Sequence, residues 1–73
     1  MKELYKTVGN WTLTAEPNED REGMNVYLTH FGSGDTASLA CADTEGETAD
    51  GLRIPKVVIA AAWKWIDDEN IDY

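Results

Sequence analysis

The residues able to do chemistry fall into three short groups. In "DTEGETADG", residues 43–51, the carboxylates of Asp43, Glu45 and Glu47 stand at alternate positions, as they do at the start of an EF-hand calcium loop. Such a loop also needs glycine at its sixth position and a bidentate glutamate at its twelfth. Thr48 and Ile54 hold those positions, so the stretch reads as a solvated acidic loop. In "HFGSGD", His30, Ser33 and Asp35 are the side-chain types of a hydrolytic triad. A triad is a hydrogen-bonded chain beside an oxyanion site rather than a neighbourhood in sequence, and Gly-Ser-Gly-Asp at residues 32–35 is more simply a hairpin turn. His30 and Cys41 are the single histidine and single cysteine, two ligands where a tetrahedral zinc site takes three or four. Cys41 is therefore expected as a small core residue. With no glycine-rich phosphate loop either, the expectation is no catalytic residue, no cofactor and no metal.

What remains is charge. Fourteen acids oppose six bases in 73 residues, a net charge of −8. Such a field repels nucleic acid and anionic membranes and attracts basic protein surfaces. The acids are grouped rather than scattered. Glu16, Glu19, Asp20 and Glu22 in "EPNEDREG" are read together with Asp43, Glu45, Glu47 and Asp50 as one cluster, and Asp67, Asp68, Glu69 and Asp72 at the C-terminus form another. The second is unexpected, because the negative end of a helix dipole disfavours each carboxylate by about 0.3–1 kcal/mol at low salt. Acids held against the dipole point to a gain elsewhere. Asp43, Glu45, Glu47, Asp50, Asp67, Asp68, Glu69 and Asp72 are accordingly the expected partner-binding residues.

The elements that must position these groups follow from periodicity. Alternation in "NWTLTAE" sends Trp11, Leu13 and Ala15 to one face, and "MNVYLTHF" separates Met24, Val26, Leu28 and His30 from Asn25, Tyr27, Thr29 and Phe31. Apolar groups on both faces make the latter the best central strand. "TASLACA" alternates Ala37, Leu39 and Cys41 with small residues at Thr36, Ser38, Ala40 and Ala42 and predicts a further strand. "LYKTV" is either a hairpin partner folded back at Gly9-Asn10, with Val8 opposite Trp11 and Leu4 opposite Ala15, or the start of one long strand. From Pro55 a helical period takes over, with Val58, Ile59, Ala62 and Ile66 on one face, Trp63 and Trp65 flanking it, and Val57 and Lys64 opposite.

The predicted fold is α+β, a single domain over residues 1–73. An antiparallel sheet of three or four strands is followed by one C-terminal helix packed on one face. No helix is expected before residue 40, and no strand over 56–66. Leu13, Val26, Leu28, Leu39, Val58, Ala62 and Ile66 form the expected core. The N-terminus "MKELYKTVGN" has no apolar signal region, no stretch approaches 18 apolar residues, and one cysteine cannot form an internal disulfide; a cytoplasmic location is expected.

By size, charge and βα layout the chain resembles small acidic phage-type inhibitors, the anti-CRISPR and DNA-mimic class, although no motif of a particular family is matched. The resemblance implies a stoichiometric inhibitor acting in the host bacterial cytoplasm. It would occupy the surface of a basic, nucleic-acid-binding effector such as a CRISPR-Cas subunit and would bind neither nucleic acid nor membrane itself. DNA carries one charge per about 1.7 Å of axis, which rows of carboxylates can imitate. The alternatives are an antitoxin or immunity protein against a basic toxin, and an adaptor or structural subunit anchored through Trp63, Trp65 and Tyr73.

Overall fold

The computed structural model describes residues 3–20 and 22–73. Four strands, β1 (Leu4–Val8), β2 (Trp11–Pro17), β3 (Met24–His30) and β4 (Thr36–Ser38), form an antiparallel sheet in the order β1-β2-β3-β4. Two helices follow, α1 (Leu39–Glu45) and α2 (Lys56–Asp68). The fold is α+β with a C-terminal helix on the sheet.

The Gly9-Asn10 alternative is resolved as a hairpin. Leu4 pairs with Ala15 and Val8 with Trp11. Gly9 has φ +58° while Asn10 stays in the negative region, the pattern of a type II′ turn, where only the first central residue must take positive φ. Its twist matches the strands it joins.

The largest departure from the sequence reading lies at residues 39–45. The alternation seen in "TASLACA" stops after Ser38, and the chain turns into α1, one residue ahead of the limit at 40. Ser38 caps the helix, its hydroxyl accepting from the Cys41 N–H at 3.3 Å. Gly46 ends it at φ +72°, its N–H donating to the Ala42 carbonyl at 2.9 Å, a left-handed closure that glycine allows without a Cβ clash. At helical spacing Leu39 and Ala42 face inward, whereas Cys41 is exposed. Cys41 is thus a surface thiol rather than the expected core residue.

Residues 47–55 are more ordered than a solvated loop. Glu47 and Arg53 pair as an antiparallel bridge. Inside it Thr48, 3% exposed, donates its N–H to the Leu52 carbonyl at 2.8 Å and accepts the Leu52 N–H on its hydroxyl at 3.1 Å. The Ile54 N–H donates to the Gly46 carbonyl at 2.9 Å. Burying Thr48 leaves no polar atom unsatisfied.

The core lies between one face of the sheet and the two helices. Leu13, Leu28, Leu39 and Val26 are fully buried, and Ala15, Ala42, Val58, Ala62 and Trp65 surround them. Each fully buried Leu or Val side chain contributes about 1.5–3 kcal/mol. Ile66, expected within this core, is half-buried and packs against it. Trp11, Met24, Ala37, Ile54 and Ile71 complete the core. Both edge strands are guarded. β4 has three residues, and β1 carries Lys6 opposite buried Leu13, a charge on the inward side that blocks pairing with another edge.

Candidate functional site

The acids are sorted by chain direction. β2 and β3 join through residues 18–23 at one end of the sheet, here the lower end. The turns at 9–10 and 31–35 lie at the upper end, about 20 Å away along the seven residues of β3. α2 starts at the upper end, where Pro55, Val57 and Val58 share a groove with Gly9, Asn10 and His30. It descends to the lower end, where the Met24 N–H donates to the Asp72 carbonyl at 2.6 Å.

Asp67, Asp68, Glu69 and Asp72 therefore lie at the same end of the molecule as the 18–23 loop, and Asp72 is joined through its backbone to Met24 just after it. The grouping read from the sequence is overturned: Glu16, Glu19, Asp20 and Glu22 share an end of the molecule with the C-terminal acids and not with residues 43–50. Glu3 belongs here too, for a basin of about 450 Å3 is lined by Glu3, Glu16, Glu19 and Asp20 with Asn18 and Asn25. The lower end thus gathers nine acids. Among the described residues there, Lys64 pairs with Asp68 at 3.2 Å.

How α2 ends explains why it tolerates carboxylates there. Asn70 takes the left-handed conformation, φ +52°. The Asn70 N–H donates back to the Asp67 carbonyl at 3.3 Å and the Ile71 N–H to the Ile66 carbonyl at 2.9 Å. These are the two bonds of a Schellman closure. Last-turn carbonyls that would otherwise attract a cation have backbone donors, and buried Ile71 fastens the tail. Tyr73 follows, its ring set edge-on to Trp63 at 5.4 Å. The acids and the negative end of the helix dipole add to one field.

The other expected site residues disperse. Asp43 and Glu45 sit on α1 beside a groove of about 470 Å3 between the helices, with Arg53 and Lys56 also along its rim. The Trp63 Nε1–H donates to the Asp43 carboxylate at 3.4 Å. Glu47 is held opposite Arg53. Asp50 lies at the upper end against Asp35. The Asp35 carboxyl is raised above its ordinary 3.8, first by desolvation and then by its hydrogen bond with and the charge of Asp50, against the opposing pull of Ser33 and His30. Of the eight residues singled out, the structure brings Asp67, Asp68, Glu69 and Asp72 together, leaves Asp43 and Glu45 on the flank, and places Glu47 and Asp50 elsewhere.

His30, Ser33 and Asp35 do meet, in an order unsuited to hydrolysis. His30 Nδ1 lies 2.8 Å from the Ser33 hydroxyl, which also accepts the Asp35 N–H at 3.3 Å. Serine stands between the other two, whereas a nucleophile needs the histidine between serine and carboxylate. Among the described residues no three histidine, cysteine or acidic side chains are grouped to hold a metal ion. No helix among them is long and apolar enough to cross a membrane. Trp65, an expected anchor, is 4% exposed and belongs to the core, whereas Trp63 is 38% exposed.

No protein-family model, curated protein or solved structure matches this chain.

Proposed function

We propose that the chain is a non-catalytic acidic inhibitor: it binds a basic, nucleic-acid-handling protein and competes with DNA or RNA for it. One observation carries this reading. Glu3 ahead of β1, Glu16 at the end of β2, three acids of the 18–23 loop, three at the end of α2 and Asp72 in the tail place nine acids at one end of the molecule, on backbone held by the Asp72–Met24 hydrogen bond and the closure at Asn70. Fixed carboxylates on rigid backbone can stand in for phosphates, and long-range attraction speeds encounter with a cationic groove. The expected class of partner is a nucleic-acid-binding effector, a CRISPR-Cas subunit being one such protein.

An adaptor anchored on Trp65 loses support, since that ring is buried. A reduced version built on Trp63 and Tyr73 retains an exposed aromatic pair. Affinity capture from the encoding host tests both, comparing the native chain with a variant carrying Asp67→Lys, Asp68→Lys and Glu69→Lys. The acidic reading expects captured proteins that bind nucleic acid, release with salt or duplex DNA, and escape the variant. A partner retained in high salt and by the variant, but lost on Trp63→Ala, would replace it with the adaptor.

A further inference from the structure

The face of the sheet opposite the helices is uncovered, and its composition differs from the rest of the surface. Strand register lines up Thr7, Thr12, Thr29 and Thr36 in one row and Tyr5, Thr14, Tyr27 and Ser38 in the next. None of these eight positions is charged, in a chain with 27% charged residues. Toward the lower end Glu16 and Asn25 pair beyond the tyrosine row. Glu3 shares the acidic basin with both and accepts a hydrogen bond from the Tyr5 hydroxyl. The face therefore grades from carboxylates through aromatic rings to hydroxyls.

Spacing makes that gradient useful. Tyr5 and Tyr27 flank Thr14 two strands apart, about 9.6 Å, and Glu16 stands one same-face position, about 6.8 Å, below Thr14. Glu16 is thus diagonal to both rings, within reach of a long side chain. A planar cation paired with Glu16 or Glu3 would lie where it can also cover a tyrosine face. Arginine does this, whereas lysine presents a compact, strongly hydrated charge. A charge-free centre with tyrosines and a charged margin also matches how protein interfaces are built.

We propose that the open sheet face is part of the partner's footprint and takes an arginine-bearing segment, its guanidinium groups paired with Glu3 and Glu16 and stacked on Tyr5 and Tyr27. The occupant follows from charge complementarity at the lower margin, and the inference rests on the acidic-inhibitor reading.

Deca-arginine and deca-lysine peptides serve as probes, titrated at low salt into the native chain and into a Tyr5→Thr, Tyr27→Thr double variant. Both substitutions keep good strand formers on an exposed face, and circular dichroism checks the fold. The native chain should prefer deca-arginine by about fivefold to thirtyfold, as two exposed cation–π contacts allow. The double variant should lose the preference while deca-lysine binding stays unchanged, and in the native chain deca-arginine should shift the Thr14 and Tyr27 amide resonances. Equal affinity for the two peptides, a preference that survives the double variant, or unmoved face amides would overturn the footprint and leave the acidic end as the binding site. Failure of both peptides to bind the native chain would overturn the acidic-inhibitor reading and the footprint with it.

Discussion

The two ends of this small sheet are opposites. At the lower end, Glu3, the 18–23 loop and the last turn of α2 place acids beside a helix terminus of the same sign. At the upper end, Arg53 and the first helical residue, Lys56, accompany the glycine turns, and Asp35 and Asp50 are paired with each other. Net charge alone would describe a uniformly acidic particle. The structure has a direction instead, and a directed field can orient a partner before contact.

The contrast is broken most severely through the packing that holds both ends. Trp65→Ala removes a core aromatic and should cost about 3–5 kcal/mol, Leu28→Ala about 2–5 kcal/mol. Chemical denaturation measures both, and the first would confirm Trp65 as structural. Ile66→Ala, at a half-buried position, should cost less than Leu28→Ala. Equal losses would put Ile66 back in the core.

Charge reversal separates binding from folding. Asp67→Lys, Asp68→Lys and Glu69→Lys together should weaken partner binding by about 2–5 kcal/mol if the charges are desolvated at the interface. Stability should change little. The helix dipole favours the new cations by about 0.3–1 kcal/mol each, offset in part by loss of the exposed Lys64–Asp68 pair, which contributes about 0.3–0.5 kcal/mol. Reversing Asp50 alone should leave binding almost unchanged, because it lies at the other end. A loss equal to the triple variant's would mean that both ends touch the partner.

The smallest effect belongs to the Asp35–Asp50 pair. Asp35 titrates above its unfolded value, so its protonated form is favoured in the fold. The stability linked to it is fully present below the ordinary 3.8 and is lost as pH rises through the raised value. Asp50→Asn removes the charge that opposes ionisation. Its melting temperature should exceed the native chain's at pH 7, with the difference shrinking toward pH 3. A difference independent of pH would assign the effect to something other than this pair.

Most of the sheet was legible because strand parity and turn chemistry agree. Trp11, Leu13 and Ala15 faced inward as their alternation requires, while Gly9-Asn10 left a hairpin and one long strand both open until the pairing of Leu4 with Ala15 decided it. α1 was not legible from periodicity, since Ala37, Leu39 and Cys41 alternate among residues too small to distinguish a strand face from a helix face. Its signal was the bracket of Ser38 and Gly46, a cap and a left-handed stop.

That single omission propagates. Were β4 to run on through Ala42, residues 43–51 would lie at the lower end beside 18–23, and α2 would climb away from them. α1 carries the chain back up, so α2 descends instead. Each acidic segment was visible in the sequence. Which of them share a surface depends on this reversal, as does the separation of Asp50, whereas Glu3 is placed by the Gly9-Asn10 hairpin that sets Leu4 opposite Ala15. The burial of Trp65 rather than Trp63 was likewise undecided by helical phase, which places both at the flank of the apolar stripe. Contact with the sheet selects one.

Competition for a nucleic-acid site, exerted from the lower end, can be titrated directly. The direct measurement titrates labelled duplex DNA into the captured partner at increasing fixed concentrations of this protein. The apparent dissociation constant for DNA should rise in proportion to the native chain, without a ceiling and with no ternary complex in a native gel, and should stay constant with the Asp67, Asp68 and Glu69 reversal. A ternary complex, or an apparent constant that levels off at saturation, would mean that this protein and DNA occupy separate sites on the partner.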